Sequence, residues 1–537
     1  MRLYTKDYLN FKVLDDNGHS IKEFCGVEPA KKALPGDEVY EDGSLKKRVK
    51  HAPIIGVLKL KNKIKYGFTS RNVPIHLFEP INKAYPPILV SSDDKRGSNI
   101  LALVQFEAWE QSKFPRGSLI KIIGDCGDTH AEAESLLLRY SPLNYPKKFE
   151  MSPSYQRELS KRPIVNGITF NIDPPGCEDV DDVFTVERVN QEQEEYIISI
   201  SITDVASAIE ADSVLDIYAS NVGQTLYPES QKPKHMLPPT IGIECLSLLP
   251  NKIRNCISLS IRWSPEKGIL EKSLGLNTLS VNKAFTYDEA NTCNEWYMIV
   301  IKKLSESVSE CPLPSSHEWV ETLMILYNYE VGKLLRTSNT GILRAHDEPD
   351  SEKLKRWTDI DPTLKTLSYS SAKYVAGHID AYHWGLESES YAHASSPLRR
   401  YADLYNQRCL HKILRGETTD KTSMLLCVNL NFLGKDAKAF ERDTFFMNCL
   451  SQTTTNVQGI FVDYIKQKEK AAIWIPSWKR IIRVPCVFDS DIGIIKPRDG
   501  SEPIRVAIGT KVEISYMLNY ESARWKERIL FRIVKAL

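Results

Sequence analysis

The chain has no Cys-x-x-Cys pair; its eleven cysteines form an odd set whose two nearest members are Cys245 and Cys256. That usage argues against a disulfide framework and against a zinc ribbon, and it points to a reducing, intracellular, cytoplasmic setting. No apolar run approaches the ~18–20 residues of a membrane-spanning helix. The longest runs, such as 321–327 (ETLMILY), are broken by polar residues, so no membrane partner is expected. The opening MRLYTKDYLNFKVLDD has no apolar core of a secretory signal. Neither sign of charge dominates: 70 Lys+Arg against 69 Asp+Glu leave +1, so a polyanion must be held by a local basic channel. Internal repeats and low-complexity tracts are absent. What remains is a 537-residue globular composition, 42% hydrophobic and 26% charged, long enough for about three to five domains.

Short apolar runs separated by Gly, Pro, Asn and Asp fill residues 1 to about 140, for example PIIGVLKL (53–60) and NILALVQFEAW (99–109). This spacing predicts small β-barrels. Phe68, Phe106 and Trp109 are read there as barrel core, with single-strand stacking platforms as the alternative. A polar, proline-bearing link (141–165) leads into mixed β and helical sequence. Val320, Leu323, Met324, Tyr327, Val331 and Leu334 recur at helical spacing within 317–335. Further helices are expected over 398–414, after Ser396-Pro397, and over 435–450. Residues 455–537 return to strand alternation. There Trp474, Trp478, Lys479, Arg480 and Arg483 fit either a single-strand platform or a filled barrel with solvated cations.

The stretch with chemistry in it is Asn171-Ile-Asp173-Pro-Pro-Gly-Cys-Glu178-Asp179-Val-Asp181-Asp182, with five carboxylates in ten residues around a Pro-Pro-Gly turn. Like charges this dense are unfavourable unless a cation neutralises them. Hard divalent ions take carboxylate oxygens, and two of them can drive phosphodiester hydrolysis. The EF-hand template fails, because its positions counted from Asp173 hold Pro, Cys and Phe where acids are needed. The residues alone fit a solvated acidic turn equally well.

This segment resembles the signature of the ribonuclease II/R (RNB-domain) family of 3′→5′ exoribonucleases, in which Ile-Asp precedes a loop ending Asp-x-Asp-Asp. Its Pro-Pro-Gly-Cys form is similar to that of the catalytic subunit of the eukaryotic exosome, although no endonuclease domain precedes it in this sequence. Further blocks follow in family order: SITDV (201–205), TLYPES with Tyr227, HMLPP through CLSL (235–248) with Arg254, VNKAFTY ending at Tyr287, VETLMILYN with Glu321, SSPLRRYAD (395–403) with Arg399 and Arg400, and FERD with Glu441.

The resemblance implies a multidomain α+β chain. A short first cold-shock-like OB barrel would span 1–52 and a second 53–145. The mixed α/β nuclease domain would span 146–452 and an S1-like OB barrel 453–537. It implies two Mg²⁺ (or Mn²⁺) held by Asp173, Asp179, Asp181 and Asp182, with Asp181 also orienting the attacking water. Arg399 would meet the scissile phosphate with Arg400 nearby, and Glu441 would lie near the active centre. Tyr227 would stack on the terminal base, Tyr287 and Glu321 would read the 2′-OH, and Arg254 would contact RNA. The expected partner is single-stranded RNA, engaged by a monomeric catalytic unit working with a helicase or an exosome-like complex. The alternative is a catalytically silent RNA-binding or scaffold subunit. Three departures bear on base clamping and on the helix after the arginines: a short stretch between Tyr287 and Glu321, Ala394 where an aromatic is usual, and Gln407 in place of a histidine.

Overall fold

The structure is a computed structural model that describes every residue except 16, 17, 29, 31, 111, 191–193, 229, 230, 453–455, 499, 501, 520, 521, 523 and 524. Residues 2–47 form a five-stranded sheet around Leu3, Phe11, Val13 and Leu34. A closed five-stranded barrel follows, from Ile54–Leu58 to Arg116–Asp125. Both are OB-type modules. Phe106 and Trp109 are half-buried against the core of the first sheet, so they seal the joint between the two modules, whereas Phe68 is 60% exposed.

The central domain is built on a six-stranded sheet. Its order is Gly268–Ser280, Ile253–Ser264, Glu195–Thr203, Asp182–Asn190, Ile168–Asp173, Lys283–Thr286. All neighbours are antiparallel except the last pair, which runs parallel with Asp173 opposite Thr286. Ile168–Asp173 can begin there because Gly167 adopts φ +127 and a Cβ would lie 2.6 Å from the Val186 carbonyl. Phe170, Ile172, Phe184, Ile198 and Ile200 then form the buried face that meets Leu323, Tyr327 and Val331.

Those last residues come from the helix Ser316–Thr337, where the apolar periodicity predicts one; a Ser315/Glu318 capping box starts it. The helix expected from 398 begins at Tyr401 and runs to Leu414. The segment Ser396–Arg400 is instead a turn, with Arg399 and Arg400 N–H on the Ser396 carbonyl, while Ser396 N–H and Leu398 N–H bond to the carboxylates of Asp403 and Asp181. The helix expected over 435–450 is the second half of one helix, Met424–Gln452. Between Tyr287 and Ser316 stand two helices, Tyr287–Thr292 and Trp296–Ser309, and the described residues include no hairpin there.

The C-terminal seven-stranded sheet buries both tryptophans. Trp474 donates its indole N–H to Thr363 Oγ1 at 3.0 Å, and Trp478 packs on Phe446, Tyr516 and Phe531. The platform reading of these two residues is thereby corrected. Trp478 closes the barrel core, whereas Trp474, on the other face of its strand, is covered by Ile360 and Leu364.

Candidate active site

Asp173, Asp179, Asp181 and Asp182 line one cavity of about 930 Å³, together with Tyr227, Tyr287, Glu321, Arg399 and Arg400. Nine of the eleven residues singled out in the sequence therefore share a wall. The elements that bring them together are specific. Asp173 ends one strand and Asp182 opens the next, so the turn 174–181 hangs at the sheet edge. Ser247 clips that turn from the side: its Oγ accepts from Val180 N–H at 2.9 Å and donates to the Glu178 carbonyl at 2.8 Å. The parallel pairing of Asp173 with Thr286 carries Tyr287 to the same edge. Ser316 Oγ then donates to the Tyr287 carbonyl at 2.8 Å, which fixes the start of the helix bearing Glu321.

Asp181 is the most enclosed of the four. Its Oδ1 accepts from Leu398 N–H at 2.8 Å, while its Oδ2, buried without a hydrogen bond, has Arg399 Nε at 3.3 Å. Burial pushes its carboxyl well above the usual range, against the pull of Arg399. Burial, reinforced by the charge of Asp173, pushes Asp182 up to about 7. Asp173 is also raised, again chiefly by burial. Asp179 accepts from Tyr227 O–H at 2.6 Å, with His235 Nδ1 at 3.7 Å. Tyr227, expected as a base platform, is 44% exposed, and burial together with Asp179 holds its phenol protonated. Tyr287 is pushed up to about 12 by burial, and the His317 ring stacks on it at 3.5 Å.

The donor set fits a hard divalent cation. It is all carboxylate oxygen, three of its members are held above their ordinary range by burial, and one buried oxygen lacks a hydrogen bond. Among the described residues, no three His, Cys, Asp or Glu side chains converge at ligating distance. In this arrangement Asp179 and Asp181 are instead engaged by Tyr227 and Arg399.

Two of the singled-out residues lie elsewhere. Arg254 does not line the cavity. It donates to the carbonyls of Glu244 and Ser247, at 2.8 and 3.4 Å, and so braces the turn that carries the Ser247 clip. Glu441 is exposed on the helix Met424–Gln452, where its charge acts on Lys438. It does not line the cavity, and Ala437 and Phe440 take the buried face of the helix there. Two of the departures are also explained. Ala394 is fully buried in the domain core, with its N–H on Asn328 Oδ1, so its side chain forms no part of the cavity wall. Gln407 accepts from Val205 and Ala206 N–H and donates to the Thr203 carbonyl, tying the helix to the central sheet without a histidine.

Sequence reasoning missed Asn328, Arg344, His346, His383, Tyr391 and His393, all on the cavity wall. Tyr391 and His393 lie just upstream of the Ser395 block, and Asn328 is two helical turns from Glu321, so position could have found these three. Nothing local marks Arg344 in the short strand Ile342–Ala345.

Comparison with known proteins agrees with the fold. The RNB domain model matches residues 161–297 and 299–416, and the Dis3-like cold-shock domain 2 model matches 75–141. Residues 161–416 are thus an RNB domain, the domain of the ribonuclease II/R family. Exosome complex exonuclease RRP44 of Mus musculus is 25% identical over 464 residues, covering 68% of this chain and 48% of its own. The chain thus spans about half the length of that curated relative. Mycoplasma genitalium RNase R, in complex with ribose-methylated single-stranded RNA, matches the fold over 98% of both chains, with a TM-score of 0.69 at 15% identity. Yeast Ssd1, a pseudonuclease, matches over 92% of this chain and 80% of its own, with a TM-score of 0.66 at 16% identity. At these identities the two structures speak for the fold.

Proposed function

We propose that the chain hydrolyses single-stranded RNA from its 3′ end and releases nucleoside 5′-monophosphates, with a divalent metal. The observation that carries this reading is the meeting of four aspartates and Arg399 in one cavity of a size for a nucleotide. Asp173, Asp179, Asp181 and Asp182 would hold Mg²⁺, or Mn²⁺. Bound there, the metal supplies Lewis-acid activation of water and of the leaving oxygen. Asp181, whose buried Oδ2 makes no hydrogen bond, would also orient the attacking water. Arg399, 43% exposed and bonded to Ser396 Oγ at 2.9 Å, offers its guanidinium to the charge that develops on the phosphoryl oxygens. Tyr287 is a protonated donor beside Glu321 in the same wall, a pair suited to a hydroxyl that both donates and accepts. The working unit is a monomer in an intracellular, cytoplasmic setting. An exosome-like complex is the partner that the name of a relative points to, and a helicase is the other partner we propose.

A second reading, a catalytically silent RNA-binding subunit, is favoured by the engagement of Asp179 and Asp181 by Tyr227 and Arg399. One experiment separates the two. A 5′-labelled single-stranded RNA is incubated with the protein in Mg²⁺ or EDTA, beside Asp181→Asn. A ladder shortening from the 3′ end that needs both Mg²⁺ and Asp181 is expected; RNA bound but intact under every condition refutes the enzyme.

A further inference from the structure

Beyond Arg399, the cavity wall carries two more guanidiniums, and only one of them has a counter-ion. Arg400 is paired with Asp403 at 2.7 Å. Arg344 has no carboxylate within ion-pairing distance among the described residues; its guanidinium lies 4.5 Å over the ring of Tyr374. Burial above all, with the charge of Arg400, presses the Arg344 pKa down against the opposing pull of Tyr374, Tyr391 and the more distant Asp403. Beside it on the wall, burial and the neighbouring His346 bring His383 down to about 4, so it is neutral at physiological pH. Its Nδ1 is buried without a hydrogen-bond partner. The positive field continues outward: the charge of Arg344 also lowers Lys438, whose Nζ reaches Ser371 Oγ at 3.3 Å.

A cavity-facing cation without an acid lowers the stability of the free protein, and an anion would relieve that cost. A neutral imidazole beside it adds a hydrogen-bonding group without adding charge. We propose that Arg344 and His383 form a second phosphate site, separate from the position served by Arg399. The ligand chemistry is a phosphate of the RNA, which rests on the exoribonuclease reading. Its source is either a phosphodiester on the 5′ side of the scissile one or a 3′-terminal phosphate.

The test is made by binding in EDTA, so that it does not depend on cleavage. Short 5′-labelled oligoribonucleotides, each with one uncharged methylphosphonate linkage, are titrated with wild type, Arg344→Gln and His383→Ala. A parallel pair carries a 3′-phosphate or a 3′-hydroxyl. Wild type should lose about 10–100-fold at one linkage, or gain that much from the 3′-phosphate, the range of a charge-assisted hydrogen bond. The first pattern assigns the site to the chain of phosphodiesters and the second to the terminus. In either case Arg344→Gln should be indifferent to the same change. Its thermal midpoint without RNA should equal or exceed that of wild type, because the substitution removes an uncompensated charge. A position-by-position profile unchanged by Arg344→Gln in both series would overturn the proposal, and so would a lowered midpoint with an unchanged profile. Failure of wild type to cleave in Mg²⁺ would refute the enzyme and leave this binding result standing.

Discussion

Replacing Asp182 with Asn should stabilise the metal-free protein, and the gain should grow with pH. The carboxyl lies among Asp173, Tyr287 and Arg399 with its folded pKa near 7, against an ordinary value of 3.8. A group whose folded pKa is raised favours the folded state when protonated, so stability is lost as pH rises from about 4 towards 7. At about 1.4 kcal/mol per unit, the ionised carboxylate costs the fold on the order of 4 kcal/mol at pH 8 and about 1–2 kcal/mol at pH 5. Asn keeps the shape and removes the charge. Scanning calorimetry in EDTA, following the transition that unfolds the central sheet, should show Asp182→Asn melting above wild type, with a wider gap at pH 8 than at pH 5. Saturating Mg²⁺ at pH 8 should raise wild type and leave the variant nearly unmoved, since a bound ion stabilises only the state that binds it. A gap that is absent at pH 8, or the same at both pH values, would refute the assignment of Asp182 as a buried carboxylate held ready for a cation.

Ser247→Ala removes both hydrogen bonds of the clip on the acidic turn and should cost about 1–3 kcal/mol, with cleavage falling while RNA affinity is kept; calorimetry and single-turnover assays measure the two. Gln407→Leu leaves the N–H groups of Val205 and Ala206 and the Thr203 carbonyl without partners, so a loss of about 2–4 kcal/mol is expected in the same transition; Gln407→His should recover part of it. His317→Ala takes away the ring stacked on Tyr287, a contact of about 0.5–1.5 kcal/mol. The ratio of RNA to DNA cleavage should therefore fall by about 2–10-fold, and an unchanged ratio would show that His317 does not orient Tyr287.

The acidic turn, the Ser395 block and the amphipathic helix around Leu323 were legible in the sequence because each is a local pattern. Charge density, a Pro-Pro-Gly turn and helical spacing all lie within about twenty residues. The family resemblance, rather than those patterns alone, singled out the eleven residues of which nine line one cavity. Arg254 and Glu441 were carried along with their motifs, but a motif does not say which way a side chain faces, and neither lines the cavity. The tryptophans of the last sheet were ambiguous for a related reason, since the same aromatic and basic alternation serves a barrel core or a surface.

By itself the sequence determined which residue types are available, four clustered carboxylates and an arginine pair, and the family resemblance their motifs carry. Only the tertiary structure decided how those charges are managed. Leu398 N–H and Arg399 reach Asp181 across more than two hundred residues of chain, Tyr227 closes on Asp179, and Arg344 has no carboxylate at ion-pairing distance among the described residues. Proton affinity and ion pairing depend on burial and on distances of a few ångströms between segments far apart in sequence, and those distances exist only once the sheet edge, the helix and the two arginines are packed together.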